Sequence, residues 1–194
     1  MMVDYPPEPW VLHGRACVTT WLVPASALPA LPVPPLVVGG RAVVGTAFVE
    51  YAPPGMAYRE LLAAVLVRRL GVSITHIWVD SEASRAGGRE LWGIPKEMAA
   101  FPTRFDAETA DGPIASVSCS PGRAGLRLPA GASTWQFLGG GVARTPLRAT
   151  ARVTPARVTW DIRPDGPLGW LAPHRPAASV GVSGLRLRFG PRRR

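Results

Sequence analysis

Apolar and polar residues follow one another along this chain in the manner of a β protein. Short runs rich in Val, Thr and aromatic side chains recur between Pro and Gly punctuation, the layout of strands joined by turns. Such runs occupy 15–23, 41–51, 58–67, 73–80, 114–120, 124–128, 133–138, 147–154, 157–162 and 180–188. Alternation is cleanest at Leu185-Arg186-Leu187-Arg188-Phe189, where a period of two sends apolar groups to one face and arginines to the other. Helical signal is sparse. Residues 24–31 can make a turn or two with Ser26 as cap, and 81–86 can make another before Gly87-Gly88 ends it. Many short strands with regular turn signals predict a mainly β protein, β-rich α+β, built as an antiparallel sheet, sandwich or barrel. Barrels of moderate size also enclose ligand cavities. No internal repeat or low-complexity linker divides the chain. With 194 residues, 47% of them hydrophobic, one domain over 1–194 is expected, ending in a short basic tail at 190–194.

Composition narrows the partners. A formal charge of +9 raises the question of nucleic acid or an anionic membrane surface. The arginines are scattered, however, and the only dense run is Arg192-Arg193-Arg194, which reads as a solvated tail. No nucleic-acid partner is expected. The most apolar stretch, 22–44, is interrupted by Pro24, Pro29, Pro32, Pro34, Pro35 and Gly39-Gly40, so it is no membrane helix and no membrane partner is expected. Cys17 and Cys119 lie far apart without CxxC spacing, which suggests neither a disulfide framework nor a metal site. The opening Met1-Met2-Val3-Asp4-Tyr5 lacks the charged-then-apolar layout of a signal peptide, and a reducing cytoplasm is the expected compartment. No motif for a metal or organic cofactor is present, and none is expected.

One residue stands apart. Of 22 basic side chains, Lys96 is the only lysine. A guanidinium is never deprotonated in a protein and forms no Schiff base, whereas a buried lysine sheds its proton and becomes a nucleophile. Trp92, Ile94, Met98 and Phe101 surround Lys96 in sequence with apolar bulk, which disfavours the charged amine and lowers its expected pKa. Arg89 and Glu90 read as charges that brace the turn before the lysine. His76, in an apolar run, reads as a packed residue.

The run GRELWGIPKEMAAFP, residues 88–102, resembles the lysine motif of the acetoacetate decarboxylase family. Pro9-Trp10-Val11-Leu12-His13-Gly14-Arg15 is similar to that family's opening strand and would set Arg15 at its active-site arginine. Tyr58-Arg59-Glu60 resembles its Tyr-x-Glu, which would set Glu60 at its active-site glutamate, and Thr75 to Asp80 looks like the strand before the lysine motif. The likeness runs from about Tyr5 to Pro102 and is weak beyond. Two positions depart from the family pattern: Glu97 stands where many members carry a second lysine, and a second active-site glutamate falls near Thr46, with Glu50 as a poorly aligned substitute.

The resemblance implies a single-domain, β-rich fold around a cavity, and a lysine amine made nucleophilic by its surroundings, of which acetoacetate decarboxylase is itself a known instance. It further implies an imine between Lys96 and a small keto acid, with decarboxylation of acetoacetate or a related β-keto acid as the reaction. Arg15 would hold the substrate carboxylate or orient Glu60, and Glu60 would position Arg15 or shuttle a proton. A homo-oligomer is implied as well, and Trp92 is the tryptophan expected nearest the site. The competing readings are aldolase or dehydratase chemistry on the same imine, a non-catalytic barrel that binds small ligands, and a basic interaction protein.

Overall fold

In the computed structural model the alternating side chains become the two faces of one large curled sheet. The structure describes residues 3–193, so Met1, Met2 and Arg194 lie outside it. The strands are β1 (Trp10–Pro24), β2 (Val37–Val38), β3 (Arg41–Ala52), β4 (Tyr58–Val67), β5 (Gly71–Val79), β6 (Lys96–Met98), β7 (Asp106–Thr109), β8 (Gly112–Pro121), β9 (Leu126–Leu138), β10 (Gly141–Ile162) and β11 (Pro176–Phe189). One α-helix, α1 (Glu82–Trp92), joins β5 to β6. No helix among the described residues is long and apolar enough to cross a membrane.

The strand order is β11-β1-β3-β4-β5-β9-β10-β8-β7, with β10 also pairing with β11, so the sheet curls back on itself. Pairing is antiparallel except where β6 and β9 each meet β5 in parallel. The β5–β9 junction rests on the single pair Val72↔Thr134, so the mostly antiparallel β-rich sheet that strand patterning predicts is a curled mixed sheet and not a strict barrel.

Period two then sorts the core. Trp10 and Leu12 of β1, Val49 and Tyr51 of β3, and Tyr58 and Ala64 of β4 face the inside of the curl, where Trp92, Ile94 and Phe189 join them. Their neighbours Cys17, Trp21, Phe48, Leu61 and Val65 face the other way and pack against Ile114 and Val117 of β8 and against Leu168 and Leu171. A residue's parity on β1, β3 or β4 therefore decides which of two interiors it enters.

Several expected elements are longer or shorter than the sequence pattern predicts. The runs 124–128 and 133–138 are one strand, β9, because Pro129 sits on an edge with no second neighbour and loses no ladder bond. β10 likewise merges two runs, and Pro155, lacking an N–H, falls where β10 changes partner from β9 to β8. Residues 24–31 yield only the single 3₁₀ turn Ala25–Ala27, with Ser26 inside it and no side-chain cap, since the prolines that follow deny it further hydrogen bonds. The basic tail is less free than expected. The backbone N–H of Arg192 donates to Glu8 Oε2 (2.8 Å) and that of Arg193 to the Arg144 carbonyl (3.1 Å), while both side chains stay in solvent.

The largest correction concerns α1. Ser81 caps it, accepting from the Ser84 N–H at 3.2 Å, but the helix continues through Gly87-Gly88 and ends only at Gly93, whose φ of 68° suits the left-handed stop. The two glycines are kept for close approach: a Cβ at Gly87 would meet the Trp10 ring at 2.6 Å, and one at Gly88 the Lys96 Cδ at 2.7 Å. Helix propensity alone makes Gly88→Ala a stabilising change of about 1 kcal/mol. Against a buried, pinned lysine chain the added methyl is overpacking that costs about 1–3 kcal/mol, so a net loss of up to about 2 kcal/mol in urea unfolding is expected; a gain would show that the contact is slack.

Candidate functional site

Lys96 enters the interior from β6, whose three residues lie in register with Ile77, Trp78 and Val79 of β5. Its side chain is 4% exposed. Nζ donates to Glu60 Oε2 (3.1 Å), to Ser84 Oγ (2.8 Å) and, at 3.5 Å, to the Tyr58 hydroxyl. Nζ also lies 5.1 Å from the centroid of the Tyr58 ring, within cation–π range.

Local rules bring these partners together. Alternation on β4 points Tyr58 and Glu60 to the same face, and antiparallel register sets Tyr51 of β3 directly opposite Tyr58. Tyr51 then donates its hydroxyl to Glu60 Oε1 at 3.4 Å. On α1, Ser84 and Gly88 are one turn apart on the buried face, the first supplying an acceptor and the second room for the lysine chain. Outside, the Arg89 Nε donates to the Lys96 carbonyl at 2.6 Å and its guanidinium pairs with Glu97, which is exposed on the far side of β6. Glu97 thus faces away from the amine that it follows in sequence.

The amine borders a cavity of about 160 Å³. Among the described residues, Lys96 and Glu60 are the only charged ones that line it, and Tyr51, Tyr58 and Thr134 supply its hydroxyls. The indole N–H groups of Trp10 and Trp92 are spent elsewhere, on the Pro6 carbonyl and on Glu8. Burial, and then the negative charge of Glu60, push the phenols of Tyr51 and Tyr58 well above their ordinary pKa of 10, so both stay neutral donors. Among the described residues, no group of three or more His, Cys, Asp and Glu gathers to hold a metal ion.

Of the three residues that the sequence nominates, the structure brings Lys96 and Glu60 together and leaves Arg15 out. Arg15 has the parity of Cys17, so it points to the opposite face of the sheet, where it is 57% exposed and its Nε donates to Glu50 Oε2 at 2.8 Å. These two residues are direct cross-strand partners, and the hydrogen bond from Arg15 holds the Glu50 carboxyl below its usual pKa. Glu50 therefore does not replace the second glutamate, and Thr46, on the same far face, accepts from the Trp21 indole at 2.9 Å. Arg15, Glu50, Arg104 and Cys119 border a separate hollow of about 200 Å³. His76 stacks on Trp78, and burial lowers its pKa. Cys17 and Cys119, remote in sequence, are free thiols in the same packed cluster, and burial raises the Cys17 pKa. Sequence reasoning missed Ser84 and Tyr51. The signal for Ser84 was its four-residue spacing from Gly88, and for Tyr51 the pairing of β3 with β4.

A family model described as acetoacetate decarboxylase matches residues 2–122, well over half of the chain. The chain belongs to the acetoacetate decarboxylase family. Solved structures carry the same fold over the whole length. An acetoacetate decarboxylase from Legionella pneumophila is 17% identical with a TM-score of 0.73, covering 99% of this chain and 89% of that one. The enduracididine biosynthesis enzyme MppR complexed with pyruvate is 14% identical with a TM-score of 0.68, covering 99% and 91%. An acetoacetate decarboxylase-like enzyme from Sphingomonas wittichii RW1 is 18% identical with a TM-score of 0.60, covering 96% and 92%. No curated protein matches the chain significantly.

The buried phenols give this acetoacetate decarboxylase family member an alkaline signature. A pKa raised by folding stabilises the fold fully below the unfolded value, near 10, and that contribution is lost as pH rises through the folded value. Tyr5, the third of the three tyrosines, is also shifted upward, by its hydrogen bond to Glu90. Tyrosinate absorbance of the folded protein should therefore report at most one phenol, that of Tyr5, with Tyr51 and Tyr58 ionising only as the protein unfolds. Titration of two or three phenols in the folded protein would contradict the burial of Tyr51 and Tyr58.

Proposed function

We propose that this protein is a Schiff-base-forming lyase that decarboxylates acetoacetate or a related small β-keto acid through an imine on Lys96. The observation that carries the reading is the Lys96 Nζ held 3.1 Å from Glu60 Oε2 beside a cavity whose other walls, among the described residues, carry no charge. Membership of the acetoacetate decarboxylase family and the same fold in related enzymes support this class of chemistry.

Glu60 accepts a proton from the Lys96 ammonium, and the free amine attacks the substrate ketone. The carbinolamine loses its hydroxyl as water, taking a proton from Glu60, and leaves a protonated imine. The bond to the carboxylate then breaks, its electrons pass into the imine system as an enamine, and carbon dioxide departs. Protonation of the enamine carbon and hydrolysis release the ketone and restore the amine. Each step uses proton donors and acceptors that touch the reacting nitrogen: Glu60, Ser84 and the neutral Tyr58. Arg15, 57% exposed on the other face, has no part in this sequence.

A second reading keeps the imine and changes the bond that breaks. MppR, of the same fold, is known with pyruvate and with the condensation product of pyruvate and imidazole 4-carboxaldehyde. Borohydride added with each keto acid, followed by intact mass, tests the imine, and carbon dioxide release tests the decarboxylation. An adduct on Lys96 is expected, with the N-terminal amine as the only other site on a chain with a single lysine. Lys96→Arg should abolish both adduct and turnover, and Glu60→Gln should lower kcat by about 10²–10⁴-fold, the usual contribution of a positioned acid or base. Undiminished turnover by Lys96→Arg would sink the mechanism.

A further inference from the structure

The cavity beside Lys96 is polar at one end and apolar along its length. On β4 the inward residues run Tyr58, Glu60, Leu62, Ala64, and all four line it. From Glu60 to Ala64 is four residues, about 13 Å of strand. On the neighbouring β5, Ile77 is level with Lys96, while Ile74 and Val72 lie progressively further along and also line the cavity. Leu147 and Leu187 close it from β10 and β11. The one hydroxyl at the far end, that of Thr134, is already given to the Thr145 carbonyl at 3.5 Å. Among the described residues, no arginine and no histidine lines this space.

Two consequences follow for anything that reacts at the amine. A carboxylate beside Lys96 finds the amine itself and the phenols of Tyr51 and Tyr58, enough for one acid group at the polar end. A second carboxylate carried along the strand would be buried without a cation or a free donor, which is strongly disfavoured. A methyl group, on the other hand, leaves most of the apolar wall uncovered. The volume, about 160 Å³, resembles that of an engineered apolar cavity of about 150 Å³ that accepts benzene, so the tail it can hold is short.

Resting on the imine chemistry proposed above, we infer that the preferred substrate is a monocarboxylic 3-oxo acid with a straight alkyl tail lodged along β4 from Leu62 to Ala64. Acetoacetate is then a truncated substrate, and dicarboxylic keto acids are rejected.

The test compares kcat/KM for acetoacetate, 3-oxohexanoate and 3-oxoadipate with the wild-type protein. Each buried methylene is worth about fourfold, so 3-oxohexanoate should exceed acetoacetate by about 15-fold, with 3-oxoadipate below both. Ala64→Leu, which fills the far end, should erase that advantage. Acetoacetate or 3-oxoadipate turned over as well as 3-oxohexanoate would overturn the inference while leaving the imine intact. Binding of butan-1-ol and hexan-1-ol, measured by titration calorimetry, reports the cavity without chemistry. Tighter binding of the longer alcohol, with no keto acid trapped by borohydride, would uphold the apolar slot and reject the imine. Equal binding of both alcohols would overturn the slot.

Discussion

A lysine and a glutamate, 3.1 Å apart and 4% and 5% exposed, are the constraint around which the rest of this structure is arranged. Taking two charges out of water is costly, and their attraction compensates only when the remaining donors and acceptors are also satisfied. Here they are. Ser84 and Tyr58 take up further valences of the amine, and Tyr51 serves the second carboxylate oxygen. These partners come from three separate elements, β3, β4 and α1, so the pair is complete only when the sheet has curled and the helix has closed over it. The double glycine in α1 follows from the same demand, since a side chain at Gly88 would occupy the path of the lysine.

The curled sheet meets this demand by simple parity. On β4, Glu60 goes to the cavity and its neighbours Arg59 and Leu61 go the other way, the former to Asp80 at 2.7 Å and the latter to the opposing core. On β1 the same rule sends Trp10 and Leu12 inward and Arg15 outward. The sequence made Lys96 legible as a lone lysine in an apolar setting, and Glu60 through a single Tyr-x-Glu that resembles the family's. It also suggested Arg15, because resemblance along a strand gives position but does not report which face a position serves. Reading β1 by period from Trp10 would have separated Arg15 from the cavity without any structure.

Other features were illegible for physical reasons. β6 has three residues, too few for a period, and exists because β5 offers it an edge. Ser84 lies in the predicted helical turn, but only the packing of that helix over β6 shows that it faces Lys96. Local rules stop the helix at Gly87-Gly88, whereas tertiary packing against Trp10 and Lys96 carries it on to Gly93. The contact between Cys17 and Cys119 is of the same kind, a product of β8 folding over the outer face of the sheet. In each case a long-range contact overrules or completes a local preference, and a single sequence carries only the local part.

Glu97 shows how the segment keeps two charge systems apart. Directly after Lys96 in the chain, it is sent to the opposite side of β6 and bound by Arg89, the same arginine whose Nε holds the Lys96 carbonyl. Its charge is therefore answered outside the cavity and fastens the strand that carries the lysine. Inside, one cation faces one anion. A proton passed from Lys96 to Glu60 then changes no net charge within the apolar walls; it converts two charges that those walls solvate poorly into a neutral amine and acid. In the proposed chemistry the nucleophile is thus made by a transfer internal to the pair, and a second cation beside Lys96, such as Arg15 turned inward, would work against it by holding Glu60 as the anion.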